Sequence, residues 1–334
     1  MRSRPLGGTG ISVGEVGIGT WELSGDVWGP KDDTRSLAAL RAGLDGGATV
    51  IDTAADYGQG HVEELIGRLL SEPGLARDQV VISTKVFPEC GVFAPPPERP
   101  ISEFFAPAWI RSQCEASLRR LHTDYVDILF LHTWSRAWGH ENAWHETMAA
   151  LKAEGKIRAI GISVPDEGVA DANVAVACGQ VDVIQCVYSV FQQEPEMSLF
   201  PLAEKFGVGI LARSPFSSGA LVQNWTLDME FPTGDWRATW PQSVKKAWLE
   251  DQIEMAEVVR EVIAGSGVDR PTFCLGYVLG AAAVSAVIPG SADPDHVAAN
   301  VAASRAPPLD ADTRQRLKEL WLGRRIHGTY NGSG

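Results

Sequence analysis

Residues 49–70 read TVIDTAADYGQGHVEELIGRLL, and the two halves of this stretch obey different periods. Thr49 to Thr53 is a short β-branched run. Beyond a glycine-punctuated turn, Val62, Leu65, Ile66, Leu69 and Leu70 follow the i, i+3, i+4, i+7, i+8 spacing of a helix with one apolar face. The stretch is one strand–helix unit with polar residues at its join. The unit recurs on both sides. Val16 to Gly19 precedes a helix near residues 33–46, with Leu37, Leu40 and Leu44 on one face. Val80 to Thr84 precedes a helix carrying Ile110, Cys114, Leu118 and Leu121. Tyr125 to Leu131, Ile157 to Ile162, Val183 to Val187, Val208 to Leu211 and Val284 to Ile288 complete eight strand candidates.

Strands that alternate with helices imply parallel pairing through right-handed crossovers. Runs such as VVIST and DILFL are apolar throughout, so both faces of each strand are expected to be buried. An open doubly wound sheet and a closed barrel both satisfy this, and eight units favour the closed (β/α)8 barrel. The 334 residues show no linker-like change of composition, so one domain over 1–334 is expected. Two stretches interrupt the pattern. Residues 88–107 hold six prolines, and residues 215–242 hold Trp225, Trp236 and Trp240 with few helix signals. Each follows a strand and so belongs to the C-terminal rim of a barrel, where active sites are built.

Charge narrows the partners. Against 29 Lys and Arg stand 42 Asp and Glu, a net −13 with no basic stripe, which disfavours nucleic acid and anionic membrane surfaces. The five cysteines form no CxxC pair and no zinc spacing, as expected of free thiols in a reducing compartment. The N-terminus lacks the apolar core of a signal peptide. The apolar stretch Phe273 to Ile288, interrupted by Gly276, Gly280 and Ser285, falls short of the roughly 20 residues that a membrane span needs. A cytoplasmic protein without a bound metal is expected.

No GxGxxG follows the first strand, and GxxxxGK[ST] and HExxH are absent, which disfavours Rossmann, P-loop and zinc-protease chemistry. What remains is a series of polar residues at successive strand ends: Asp52 with Tyr57 just beyond, Lys85, His132, Ser163, Gln185 and Ser214. Each alone has a plain structural reading, as a cap, a solvated amine or a rim aromatic. Together, on consecutive parallel strands, they converge on one mouth. Tyr57 can donate a proton, Lys85 is expected to lower its pKa, Asp52 to hold Lys85, and His132 to donate to a substrate oxygen or relay the proton.

IDTAADYG, STK and ILFLH, with GIS at 161–163 and IPG at 288–290, resemble segments of the aldo-keto reductase family in their order along the chain. RPLGGTGISVGEVGIGTWEL is similar to that family's opening hairpin and first strand, and EASLRRLHTDYVDI to its third helix and fourth strand. The resemblance implies a (β/α)8 barrel with an N-terminal β-hairpin that reduces an aldehyde or ketone with NADP(H), NAD(H) being the alternative. It implies cofactor contacts from Thr20, Trp21, Asp52, Ser163, Gln185, Arg213, Ser214, Phe216, Gly219, Gly290, Ser291, His296 and Asn300. Four positions depart from the family pattern. Val164 replaces an Asn, Arg213 replaces the aromatic that stacks on the nicotinamide, His296 replaces an Arg that grips the 2′-phosphate, and Ala299 replaces an acid that meets the adenine. With Asp293 adding negative charge there, only a small preference for NADPH is expected. Trp21, Trp28, Tyr57 and Trp134 are expected to wall a wide pocket for a cyclic or aryl carbonyl or a keto-sugar, in a monomer or weak homo-oligomer. Val164 and Arg213 leave two other readings open: a barrel catalysing a non-redox step, and a nucleotide-sensing regulatory subunit.

Overall fold

In the computed structural model, which describes residues 1–327, a small antiparallel hairpin precedes eight parallel strands. The hairpin is β1 (Ser3–Pro5) and β2 (Ser12–Gly14). The parallel strands are β3 (Ile18–Gly19), β4 (Val50–Asp52), β5 (Val81–Val86), β6 (Val126–Leu131), β7 (Ile157–Ser163), β8 (Val183–Val187), β9 (Gly209–Arg213) and β10 (Val284–Val287). They pair in chain order, and Val16 and Gly19 bridge Val287 and Gly290 in parallel, so the first strand meets the last. Gly17 N–H donates to Val287 O at 2.8 Å and Gly19 N–H to Pro289 O at 3.0 Å. A Cβ on Gly19 would lie 2.7 Å from Ile288 O, so this seam closes only on glycine. The chain forms the expected (β/α)8 barrel.

The outer ring is α1 (Asp33–Asp45), α2 (His61–Leu70), α3 (Pro107–Arg120), α4 (Ala143–Ala153), α5 (Ala172–Ala177), α6 (Leu199–Phe206), α7 (Gln242–Ala264), α8 (Arg270–Leu279), α9 (Pro294–Ala302) and α10 (Ala311–His327). On α2, Val62, Leu65, Ile66 and Leu69 are buried, as their spacing requires. The Pro-rich stretch at 88–107 stays irregular except for a single 3-10 turn, Ile101–Glu103, before α3 begins at Pro107. The uncharged stretch from Phe273 divides into most of α8 and then β10, and no helix among the described residues is long and apolar enough to cross a membrane.

Two layers of core set the direction of every strand side chain. Val50, Val81, Ile128, Phe130, Ala159, Val183, Leu211, Ala286 and Ile288 fill the barrel interior, and Leu6, Ile11 and Val13 of the hairpin segment join them at the N-terminal end. Ile51, Ile82, Leu129, Ile160, Ile162, Ile184, Ile210 and Ala212 pack outward against helices. Alternation along a strand carries the inward phase on in steps of two. Asp52, Lys85, His132, Ser163, Gln185, Arg213 and Gly290 all keep that phase, one or two steps above the apolar filling. Strand periodicity thus delivers seven residues to one end of the barrel.

Candidate active site

Asp52, Lys85 and His132 rise from β4, β5 and the end of β6 at one corner of the mouth. Lys85 Nζ donates to Asp52 Oδ2 at 2.8 Å and to Thr53 O at 2.8 Å, and reaches Tyr57 Oη at 3.4 Å. An ammonium has three N–H donors, and here three oxygens receive them. Asp52 Oδ1 accepts from Ser83 Oγ at 2.6 Å and from Gln185 Nε2 at 2.8 Å. Both charges are buried, and such a pair is stable only when its remaining hydrogen-bonding capacity is filled in this way. Tyr57 is delivered by a tight turn: Gly58, Gln59 and Gly60 have φ of 58°, 56° and 94°. A Cβ on Gly58 would lie 2.8 Å from Ser24 O, so the turn is pressed onto the loop after β3.

Burial pushes the Tyr57 phenol well above its ordinary pKa, the Asp52 and Asp56 carboxylates push it further, and Arg213 opposes them. The net shift is upward, because burial and the two carboxylates outweigh the lowering expected from Lys85. Asp52 neutralises the ammonium at 2.8 Å, so the phenol feels a paired charge. Tyr57 therefore rests protonated, the state a proton donor needs. His132 Nδ1 lies 2.9 Å from Asp56 Oδ1, close but off the line of a straight hydrogen bond. Burial holds His132 below the ordinary imidazole range, with Asp56 opposing. Its ring meets Tyr57, Phe87 and Phe93 edge-on at 5.8, 5.5 and 5.4 Å.

From this corner a crevice of small and polar residues follows β7, β8, β9 and the seam. Thr20 Oγ1 donates to Asp52 O at 2.8 Å, fixing the turn that presents Trp21, which is 40% exposed. Ser163 is buried, and its hydroxyl has no partner among the described residues. Gln185 has one N–H committed to Asp52, which ties this residue to the ion pair as well as to the crevice. Arg213 Nη2 donates to Val164 O at 2.9 Å and to Asp166 Oδ1 at 2.6 Å, so its cation is offset. Ser214, Ser217 and Ser218 have φ of 56°, 46° and 55°, a run of left-handed non-glycine residues ahead of Gly219. Such strain costs about 1–3 kcal/mol per residue and concentrates at ligand clamps. Phe216, half-buried, lies within this loop.

Gly290 and Ser291 lead into α9. Asp293 caps that helix, accepting from Asp295 N at 2.9 Å and His296 N at 3.5 Å, and Arg35 of α1 donates to it at 2.6 Å. His296 is exposed on the first turn and Asn300 is buried behind it. A free hydroxyl on Ser163 beside the half-committed Gln185 amide, a strained loop and a helix N-terminus fit an elongated dinucleotide.

A model of the aldo/keto reductase family matches residues 15–322. The chain belongs to the aldo/keto reductase family. It is 31% identical over 334 aligned residues to the NADH-specific methylglyoxal reductase of Escherichia coli, covering 93% of this chain and 96% of that protein. It is 32% identical to the aldo-keto reductase YhdN of Bacillus subtilis, over 75% of this chain and 72% of that one. The holo structure of an aldo-keto reductase from Bacillus halodurans superimposes with a TM-score of 0.75 at 27% identity, covering 96% of each chain.

In this reductase the mouth carries an aromatic wall. Trp21 meets Trp28 at 5.1 Å and Trp236 at 6.1 Å, and the contacts run on through Trp240 to Trp248 of α7 and to Trp225. Arg237 holds it together. It pairs bidentately with Asp235, donates to Ser218 O at 2.9 Å, and lies 4.8 Å above Trp28 and 4.2 Å above Phe231. Trp28 bridges Asp235, and Trp236 N–H donates to Val27 O at 2.8 Å, so the loop after β9 is stitched to the loop after β3. Trp134 does not belong to the wall. It is 1% exposed, packs against Trp138 and Trp144, and donates to Asp171 O, because the chain turns away from the mouth after His132. Sequence reasoning missed Asp56, Arg35, Asp166, Phe87 and Phe93. Only Asp56, adjacent to Tyr57, carried a local signal.

Proposed function

We propose that this aldo/keto reductase reduces a cyclic or aryl ketone or aldehyde, or a keto-sugar, with Tyr57 as general acid. The observation that carries the reading is Lys85 Nζ bridging Asp52 and Tyr57 Oη at the barrel mouth. A bound reduced nicotinamide supplies the hydride. Ser163 and Gln185 hold its carboxamide, Arg213, Ser214, Phe216 and Gly219 cover the nucleotide, and Gly290, Ser291, His296 and Asn300 take its adenosine end. Tyr57 donates its proton to the substrate oxygen as charge develops there. Lys85 stabilises the phenolate left behind, and Asp52 keeps Lys85 oriented and charged. Trp21 and Trp28 offer flat apolar faces to a ring.

On the choice of nucleotide, Asp293 supports NADH at least equally with NADPH. Its carboxylate already takes the amides at the start of α9 and the Arg35 guanidinium, where a 2′-phosphate needs positive potential. The NADH specificity of the E. coli methylglyoxal reductase points the same way. The test is to mix the protein with NADH or NADPH and a panel of carbonyls, and to follow absorbance of the reduced cofactor. Oxidation of cofactor with aryl and cyclic carbonyls is expected. Cofactor binding without turnover across the panel would overturn the reading.

A further inference from the structure

Aromatic rings flank Tyr57 on two sides, and the reduction scheme uses only one of them. Parallel pairing puts β3 and β5 on either side of β4, so the loops after those strands stand on either side of the Tyr57 turn. The loop after β3 brings Trp21. The loop after β5 brings Phe87 and Phe93, whose rings lie 6.5 Å apart and both meet His132 edge-on. Among the described residues neither phenylalanine makes a ring contact with Trp21, Trp28 or Trp236, so the two sides do not close on each other.

Phe93 is 40% exposed, while His132 against it is only 6% exposed, so an apolar ring faces solvent at the edge of the corner. Its place is nevertheless fixed, because the chain is pinned before and after it. Before it, Trp109 Nε1 donates to Phe87 O at 2.9 Å and Glu89 N to Phe104 O at 2.9 Å. After it, Pro95 is buried, Trp138 Nε1 donates to Arg99 O at 3.0 Å, and Ile101 N donates to Glu141 Oε1 at 2.8 Å. Phe104 and Phe105 are sealed against Trp138 and anchor the end of the loop. Pro95, Pro96 and Pro97 each hold φ at about −65°, which stiffens the span between the anchors. A ring held in place before a ligand arrives costs little further entropy when it is contacted.

We propose that Phe93 is a specificity-determining residue that contacts the substrate: a planar group enters between Phe93 and Trp21 and brings its carbonyl to the Tyr57 hydroxyl. The inference rests on the reduction reading above and adds the second wall of its pocket. An aryl aldehyde fills the gap, whereas a short aliphatic aldehyde reaches Tyr57 without touching both walls. Phe93 thus favours ring substrates over small ones and leaves the nucleotide crevice alone.

Phe93→Ala and Phe93→Tyr test it. At an exposed position, both variants should unfold near the wild-type temperature and bind NADH as the wild type does. The ratio of kcat/KM for benzaldehyde to that for propanal should fall roughly tenfold in Phe93→Ala and recover in Phe93→Tyr, which restores the ring. An unmoved ratio, or equal losses for both aldehydes, overturns the proposal. Calorimetric titration of benzyl alcohol into the NADH-saturated protein reads the same contact without turnover, and its affinity should weaken by a similar factor in Phe93→Ala. If the wild type reduces no carbonyl, the reduction reading fails and this titration decides alone. Benzyl alcohol that binds both proteins equally, or neither, then overturns the contact.

Discussion

The corner built by β4, β5 and β6 and the rim built by residues 214–240 and the start of α9 serve one mouth by different means. At the corner, Asp52 and Lys85 are buried and locked by a 2.8 Å ion pair whose remaining valences are filled by Ser83, Thr53 and Gln185. Their positions follow from the strand register. At the rim, Trp28, Trp236 and Arg237 are placed by contacts between loops distant in sequence, and Ser214, Ser217 and Ser218 are held in left-handed conformations. By the resemblance in sequence, the four corner residues keep the family's pattern, whereas Val164, Arg213, His296 and Ala299, around the crevice and α9, depart from it. The difference teaches where the chemistry is fixed and where its selectivity is open to change.

The sharpest way to break the comparison is to remove the acid from the corner. Tyr57→Phe is expected to lower kcat about 10²–10⁴-fold while leaving nucleotide affinity, measured by fluorescence titration, nearly unchanged. Near-normal turnover would remove Tyr57 from the chemistry. Lys85→Met should cost at least as much turnover. It also leaves Asp52 buried without its counter-ion, a loss of about 3–5 kcal/mol visible in urea unfolding. A mutant unfolding at the wild-type midpoint would show that the ion pair is not what holds the corner.

Trp134→Ala sharpens the contrast between packing and wall. Because Trp134 is sealed among Trp138 and Trp144, its loss should cost about 3–5 kcal/mol of stability and reduce large and small substrates alike. Trp21→Ala, at an exposed position, should leave stability nearly intact and lower kcat/KM for ring substrates selectively. Size-selective losses in Trp134→Ala would reverse the assignment of the two residues.

At the rim, Asp293→Arg removes the carboxylate from the α9 N-terminus and adds a donor beside Arg35. The ratio of kcat/KM with NADPH to that with NADH should rise by about tenfold, the scale of one charge-assisted phosphate contact of about 1.4 kcal/mol. A wild-type preference for NADPH of several orders of magnitude would show that the phosphate binds elsewhere. The smallest expected effect is at Arg213. Its guanidinium is already paired with Asp166, so Arg213→Gln should change KM for the nucleotide only a few-fold.

The sequence by itself determined the eight strand–helix units, the barrel they close into, and the inward phase that brings Asp52, Lys85, His132, Ser163 and Gln185 together. These follow from periods of 2 and 3.6, which are written in neighbouring residues and need no knowledge of distant ones. Tyr57 was legible for the same reason, through the glycine turn beside it. Only the tertiary structure decided that Trp134 is core while Trp28 and Trp236 form a wall. An indole carries no local mark of which side it will face once its chain has turned. The tertiary structure alone also set the upward shift of the Tyr57 phenol, the Asp56–His132 pair and the Arg35–Asp293 pair. Charge state depends on burial and on partners across the fold, and neither is a property of the residues next in the chain.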